Sequence, residues 1–454
     1  AVAAQAQSDQ GLRPSARLEG EARLDGDLAL AAFSGTIDAG VEAERVALEG
    51  REARKLRLAL PLTARYGAEG LALSLTRPGR LTIGQFGAGA PLRLEDPLDF
   101  TFSALTLEAP PGASGYSYRL SAGEDGADFE LRLAEAEPLP VEAGALGLRL
   151  DGRFDAARGH DAALEIRLGG LALPGYNFAN EAAEIDVSLD RDLAPRASRF
   201  ALGPFVVGGD APLAAPLRLD GKLQRKGAGY DVAATLSLPG GERPAQALAD
   251  ITARYGDDGT ATPEAVSRLL VFDPQSLQPA DLSPLLADLQ RLRGTASARA
   301  GLAWPPDPAS ERGRVTLTGL SFESPAGSIS GLDLDLVLTR LLPLASAPAQ
   351  RLTIRSLDAA VPVETIEIDF ALDQDPRPHL TLTGGSFGLA GARWQIAPTT
   401  LDPAPPRDGI VFATEALELA TFFRRVEVDG RSVAGVHKGR LPVAFAGADV
   451  IVEG

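Results

Sequence analysis

The sequence predicts an all-β protein: an elongated, mostly antiparallel sheet whose strands are short, numerous and apolar on one side only. Three observations carry that prediction. The first is alternation. In Gly331-Leu332-Asp333-Leu334-Asp335-Leu336-Val337-Leu338 leucine and aspartate take turns, and a period of two sends Leu332, Leu334 and Leu336 to one face of a strand while Asp333 and Asp335 go to the other. The second is recurrence, since about 25 segments follow the same grammar. The third is composition: 49 glycines and 34 prolines stand against 6% aromatic residues and two tryptophans. Frequent turns and few bulky side chains suit many strands better than the thick interior of a compact enzyme.

Along the chain, ALGLRLDG at 145–152, LEIRLGG at 164–170, EIDVSLD at 184–190 and PLRLDGKL at 216–223 each place two or three aliphatic residues on one side. RVTLTG at 314–319, RLTIR at 351–355 and ETIEIDFAL at 364–372 continue the series, the last aligning Ile366, Ile368, Phe370 and Leu372. Asp25-Gly26, Asp151-Gly152, Asp220-Gly221 and Asp429-Gly430 read as tight hairpin turns, so most strands should pair with their sequence neighbours. One wet face is what antiparallel pairing permits, whereas strands buried on both sides read as continuous apolar runs.

Two segments break the period. Ser283-Pro284 has the form of an N-cap followed by proline at the first helical position, and Leu285, Leu286, Leu289 and Leu292 then follow helical spacing. TEALELATFFRRV at 414–426 sets Leu419, Phe422 and Phe423 about one turn apart. Both are expected to be short amphipathic helices lying on the sheet. The proline-rich WPPDP at 304–308 and DPAPP at 402–406, with the turn-rich ARYGDDGTATPE at 253–264, read as seams. They suggest residues 1–252 as one part of the sheet, 253–310 as a helix-containing insertion and 311–454 as the second part, in one continuous architecture. The last strand stops abruptly at Ile451-Val452, and no methionine stands at position 1. The chain is therefore expected to be a piece of a longer protein, or to offer its final edge to a further strand.

Composition excludes several functions. Sixty-one acidic against 44 basic residues give a formal charge of −17, and the cations never form a run, which argues against a nucleic-acid or anionic-membrane surface. With no cysteine there is no disulfide, thiolate nucleophile or thiolate metal site. No apolar run approaches the roughly 20 residues of a membrane helix. His160, His379 and His437 lie far apart with no HExxH pattern, so no zinc site is expected. The nearest approach to GxSxG, Gly327-Ser328-Ile329-Ser330-Gly331, has isoleucine at the nucleophile position. Nothing resembles a phosphate-binding glycine loop, and the acidic turns at 123–128 and 255–260 lack the spacing of a calcium loop. No cofactor and no catalytic residue is predicted. Asp333, Asp335, Glu367 and Asp369 read as the soluble outer face of a sheet.

What remains is the apolar face. Twenty-five strands about 4.8 Å apart would extend on the order of 120 Å, and each large aliphatic side chain left in water forgoes about 1.5 to 3 kcal/mol. The face must pack on a second sheet, close on itself or curl around something apolar. Curling into a lengthwise groove would let the leucines hold acyl chains, gaining about 0.8 kcal/mol per methylene without any polar contact. The first candidates for such a groove are Leu332, Leu334, Leu336, Ile366, Ile368 and Phe370. A packed core predicts the same inward residues, so a structural or adhesive β-solenoid or sandwich stays open beside the conduit. An outer-membrane barrel would need aromatic girdles at its strand ends, and none is visible in the sequence. A carbohydrate-active β-helix would need carboxylates and aromatics gathered on one outward face.

The stretch from Glu418 to Gly454 resembles the YdbH family of Gram-negative bacteria, in which a short helix leads to a glycine-punctuated strand, G-x-L-P-V/I and a last strand. The matching positions are Gly430, Gly435, Gly439, Leu441, Pro442, Val443 and Gly454. Leu269 to Trp304 is similar to the passage that precedes that family's later repeats. The resemblance implies an AsmA-like or TamB-like bridge: a curled sheet, U-shaped in section like a folded taco, in the periplasm of a protein anchored in the inner membrane by an N-terminal helix absent here. It implies phospholipid acyl chains as cargo and a small outer-membrane lipoprotein of the YnbE type at the C-terminal end of the full-length protein.

Overall fold

A computed structural model describes the chain except for residues 1, 6–11, 28, 49–50, 87–91, 95–96, 125–126, 132–138, 174–177, 194, 209–211, 228, 241–243, 257–259, 304, 306, 308–309, 326, 342, 360–361, 374–378, 402–409, 426–433, 447–448 and 453–454. Among the described residues, 32 strands form one sheet, and every strand pair is antiparallel. Seven strands are second pieces of a rung already begun, so the sheet has 25 rungs. Each rung pairs with its neighbour in sequence, as short turns between alternating segments require.

Proline stands in four of those breaks: Pro97 precedes Leu98–Ala109 in one, and the other three lie at Pro78, Pro348 and Pro398. Gly70–Leu75 and Gly79–Phe86 both pair with Arg51–Gly67 and are parted at Pro78. Leu344–Ser346 and Gln350–Asp358 both pair with Gly327–Leu341 and are parted at Pro348. Ala392–Ile396 and Thr399–Leu401 are parted at Pro398, and both pair with His379–Leu389. Proline has no N–H for the ladder, so the strand yields there. At Pro348 a side chain fills the gap. Gln350, 7% exposed, accepts the Val337 N–H at 2.7 Å through Oε1 and donates to the Ala347 carbonyl at 2.9 Å through Nε2.

Two of the expected turns are corrected. Asp25-Gly26 is a turn, with Asp25 Oδ1 accepting the Asp27 and Ala29 N–H groups, and Asp429-Gly430 lies outside the described residues. Asp151-Gly152 and Asp220-Gly221 instead sit inside the strands Ala145–Asp155 and Leu217–Arg225. Their aspartates face outward to arginine, and their glycines face inward beneath an aromatic ring. A Cβ on Gly152 would come within 2.5 Å of the Tyr118 ring, and one on Gly221 would overlap Phe200. The glycine is there to make room for the ring, an arrangement that stiffens a strand rather than turning it. On either side of residues 257–259, Gln246–Gly256 and Ala261–Ser267 pair with each other.

The helices are shorter than their periodicity promised. Ser283 does cap, accepting the Leu285 N–H at 3.2 Å, but it caps only a 3₁₀ turn, Pro284–Leu286, beside the four-residue helix Pro279–Leu282. Leu285 is 67% exposed, and Leu292, buried at 4%, already belongs to the strand Gln290–Gly301. In the second segment Thr414 to Glu418 completes the strand Ile410–Glu418, and only Leu419–Arg425 is helical. Tertiary pairing outweighs a helical pattern this short.

Successive strands alternate in direction, so all strand ends fall on two long rims. Both helical segments stand on the same rim. There the Ala215 N–H donates to the Leu282 carbonyl at 2.9 Å, Ser283 Oγ donates to the Leu213 carbonyl at 2.6 Å, and Leu238 and Leu282 pack on Phe272, Leu277, Leu292 and Leu320. The opposite rim carries hairpin turns such as 67–70, 110–114 and 156–158. Val2–Gln5 pairs only with Arg13–Leu24, and Asp449–Val452 only with Val436–Ala446. Among the described residues the sheet does not close into a barrel.

Candidate functional site: a continuous apolar face

Register places all six predicted groove residues on one face. Leu334 stands between Leu317 and Leu352, and Leu352 faces Ile368. In the next row Leu332 stands between Leu320 and Ile354, and Ile354 faces Ile366. Leu336 faces Val315, and Phe370 faces Leu382. Leu334, Leu336 and Ile368 pack around a cluster of Phe370, Leu382 and Ile396.

The same face runs on toward the N-terminus. Leu148, Ile166, Ile185 and Phe200 succeed one another across four rungs. Beyond Gly221 the row continues through Ala234, Ile251, Ala265, Ala300 and Gly313 to Leu338. Leu98, Phe100 and Phe102 form a further buried group with Leu81, Leu120 and Ile166 around them. Large residues thus dominate both halves, and alanine thins the face between them.

The opposite face is a field of ion pairs. Arg314 binds Asp335 through both guanidinium branches, Arg351 donates to Asp369 at 2.7 Å and 3.2 Å, and Arg149 donates to Asp151 at 2.7 Å. The hydrogen bonds from arginine hold the carboxyls of Asp151, Asp250 and Asp335 below the ordinary value of 3.8. These pairs keep the convex surface charged and soluble, and their arginines are consumed in doing so. A concavity of about 870 Å³ opens where Gly123, Gly147 and Gly169 remove side chains beside Thr101, Arg167 and Glu184. Its lining mixes small, charged and apolar residues, Leu146 and Leu168 among them.

The inward residues are unevenly buried. In a sandwich core the inward residues would be shut on every side. Here Ile366 and Phe370 are each 8% exposed, while Leu332, Leu334, Leu336 and Ile368 are only half-buried. The whole molecule exposes 27623 Å², where a compact globule of 47.3 kDa would expose about 16,000 Å². No second sheet covers the face among the described residues; its own curl and the rim segments shelter it.

The sequence also missed an aromatic pattern at the strand ends. Tyr66, Tyr116, Tyr118, Tyr230 and Tyr255 all lie on the apolar face beside the hairpin rim. Tyr66 faces Phe33 and Leu71, Tyr230 faces Tyr255, and Tyr116 stacks on Phe154 at 5.1 Å. The signal was present in Tyr66-Gly67, Gly115-Tyr116, Gly229-Tyr230 and Tyr255-Gly256, each a tyrosine next to the glycine of a turn.

No group of three or more metal-binding side chains occurs among the described residues, and no helix there is long and apolar enough to cross a membrane. Fold and face together define an elongated, one-layer antiparallel sheet that presents a continuous apolar surface. A family model described as YdbH-like, intermembrane phospholipid transport protein YdbH, matches residues 2–454. The chain belongs to that family, which is a lipid-transport family rather than an enzyme family. No curated protein and no solved structure matches the chain.

Proposed function

We propose that the apolar face is a conduit in which phospholipid acyl chains lie against Leu332, Leu334, Leu336, Ile366, Ile368 and Phe370 while passing between the two membranes of a Gram-negative envelope. The observation that carries this is the one-sided set of facing apolar residues across successive rungs, with Leu332, Leu334, Leu336 and Ile368 only half-buried. A face of this kind lowers the cost of removing an acyl chain from a bilayer through apolar contact alone, and each methylene contributes about 0.8 kcal/mol. Transfer along it is passive, and its direction comes from outside the chain.

On this proposal the chain works in the periplasm as part of a protein held in the inner membrane by an N-terminal helix. At its far end a small outer-membrane lipoprotein of the YnbE type extends the sheet, with main-chain hydrogen bonds giving affinity and side-chain alternation giving fit. The competing account, a structural or adhesive rod with a packed core, is disfavoured by the half-buried state of Leu334 and Ile368. The test is transfer of fluorescent phospholipid between donor and acceptor vesicles by the purified protein, with lipid extracted from it weighed by mass spectrometry. Bound phospholipid and faster transfer, both lost in Leu334→Asp with Ile368→Asp at retained β-sheet circular dichroism, are expected. A folded protein that neither binds nor transfers lipid would overturn the proposal.

A further inference from the structure

The two rims of the groove are chemically unlike. On the rim that carries the helical segments the inward side chains near the strand ends are mostly apolar and closed: Phe205, Leu248, Leu292 and Leu417 are each 4–8% exposed, with Asn180, 4% exposed, opposite Phe205 and Glu124 opposite Leu146 as the polar exceptions. The hairpin rim holds every tyrosine among the described residues, all five of them inward. Tyr66, Tyr116, Tyr230 and Tyr255 occupy the penultimate or second position of their strands, and Tyr118 stands two residues further in. They span the rungs from Arg51–Gly67 to Gln246–Gly256, so the pattern is a property of a rim and not of one hairpin.

Tyrosine has an apolar ring and a polar tip, and it collects where a hydrocarbon phase meets water at the level of lipid headgroups. The rings here behave accordingly. Tyr66 and Tyr255 are 42% and 41% exposed at the edge of a face whose floor is leucine and alanine. Among the described residues the hydroxyls of Tyr66, Tyr116, Tyr230 and Tyr255 make no hydrogen bond. Tyr118 is the exception, 3.1 Å from His160 Nδ1. Burial, then the neighbouring Tyr116 and Asp161, hold its hydroxyl above the ordinary value of 10.0.

We infer that the tyrosine rim is the headgroup side of the groove: its phenol hydroxyls donate to the ester and phosphate oxygens of a phospholipid whose acyl chains point toward the helix-bearing rim. The inference rests on the conduit proposed above and adds a direction across it. A lipid moving along the N-terminal half would keep one orientation, with its polar end sliding from one phenol to the next. Such contacts are weak individually and alike in chemistry, which suits sliding better than a single tight site would.

The test uses protein labelled with 3-fluorotyrosine, its ¹⁹F resonances assigned by single Tyr→Phe variants. It is loaded with phosphatidylcholine carrying a nitroxide either on the headgroup or near the end of an acyl chain. Stronger broadening of the Tyr66, Tyr116, Tyr230 and Tyr255 resonances by the headgroup label than by the chain label is expected. The variant with all four changed to phenylalanine should keep its fold and bind phosphatidylcholine about three-fold more weakly. Equal broadening by the two labels, stronger broadening by the chain label, or none with lipid bound would overturn the inference and leave the conduit standing. If neither labelled lipid binds at all, the conduit itself fails.

Discussion

Leu334 lies between Leu317 and Leu352 with its far side open, and that state has a measurable cost. In a closed core Leu→Ala costs about 2 to 5 kcal/mol; Leu334→Ala is expected to cost nearer to about 1 kcal/mol, since only part of its surface leaves water on folding. Phe370→Ala, at a residue 8% exposed, should cost about 3 kcal/mol. Urea unfolding of both variants checks the contrast, and equal losses would indicate a shut core. On the outer face the sign of the pH effect comes from the depressed carboxyls. Asp335 is held below 3.8 first by its hydrogen bond from Arg314, so the folded state binds that proton less readily than the unfolded one. Its contribution is fully present above 3.8 and is lost as the pH falls below that value. Asp335→Asn should flatten part of the acid limb of a stability-against-pH curve, by a small amount because the pair is exposed. Which residues face inward was legible because alternation maps directly onto faces. How far each is buried was not, because curvature and rim coverage are set by rungs distant in sequence.

Among the elements, strands were legible and their interruptions were not. GLDLDLVL lies in the strand Gly327–Leu341, as alternation demands, and its leucines touch the leucines of the rungs on either side. Asp-Gly, by contrast, has two uses. At 25–26 it turns the chain, whereas at 151–152 and 220–221 it pairs an outward acid with an inward gap for a ring, and only the cross-strand neighbour distinguishes them. Gly221→Val is therefore expected to displace Phe200 and cost about 1 to 3 kcal/mol, read as a lower thermal midpoint. A turn glycine with open space around it, such as Gly26, should tolerate alanine far better. The break at Pro348 yields a second expectation. Gln350→Leu removes the acceptor for the Val337 N–H and the donor to the Ala347 carbonyl, leaving two partly buried groups unsatisfied at about 1 kcal/mol each. Hydrogen exchange at Val337 should accelerate in that variant with little change at distant rungs. The segments at 304–308 and 402–406, read from sequence as seams, fall largely outside the described residues.

For the whole molecule the claim is one of shape and sidedness. Twenty-five rungs at about 4.8 Å give a length on the order of 120 Å, while a compact chain of 454 residues would have a radius of gyration of about 22 Å. Small-angle scattering should return a value well above that, on the order of 35 Å for a rod of this length, and a value near about 22 Å would contradict an elongated sheet. Lipid contact on one face is tested most directly by placing a benzophenone side chain at Leu334 and at Ile368, with controls at Asp333 and Glu367. After illumination in cells that supply bilayer lipid, covalent adducts are identified by mass spectrometry. Phospholipid adducts at the two inward positions and none at the two outward ones are the predicted result. Folded protein without adducts at Leu334 and Ile368, or with equal adducts on both faces, would contradict the account.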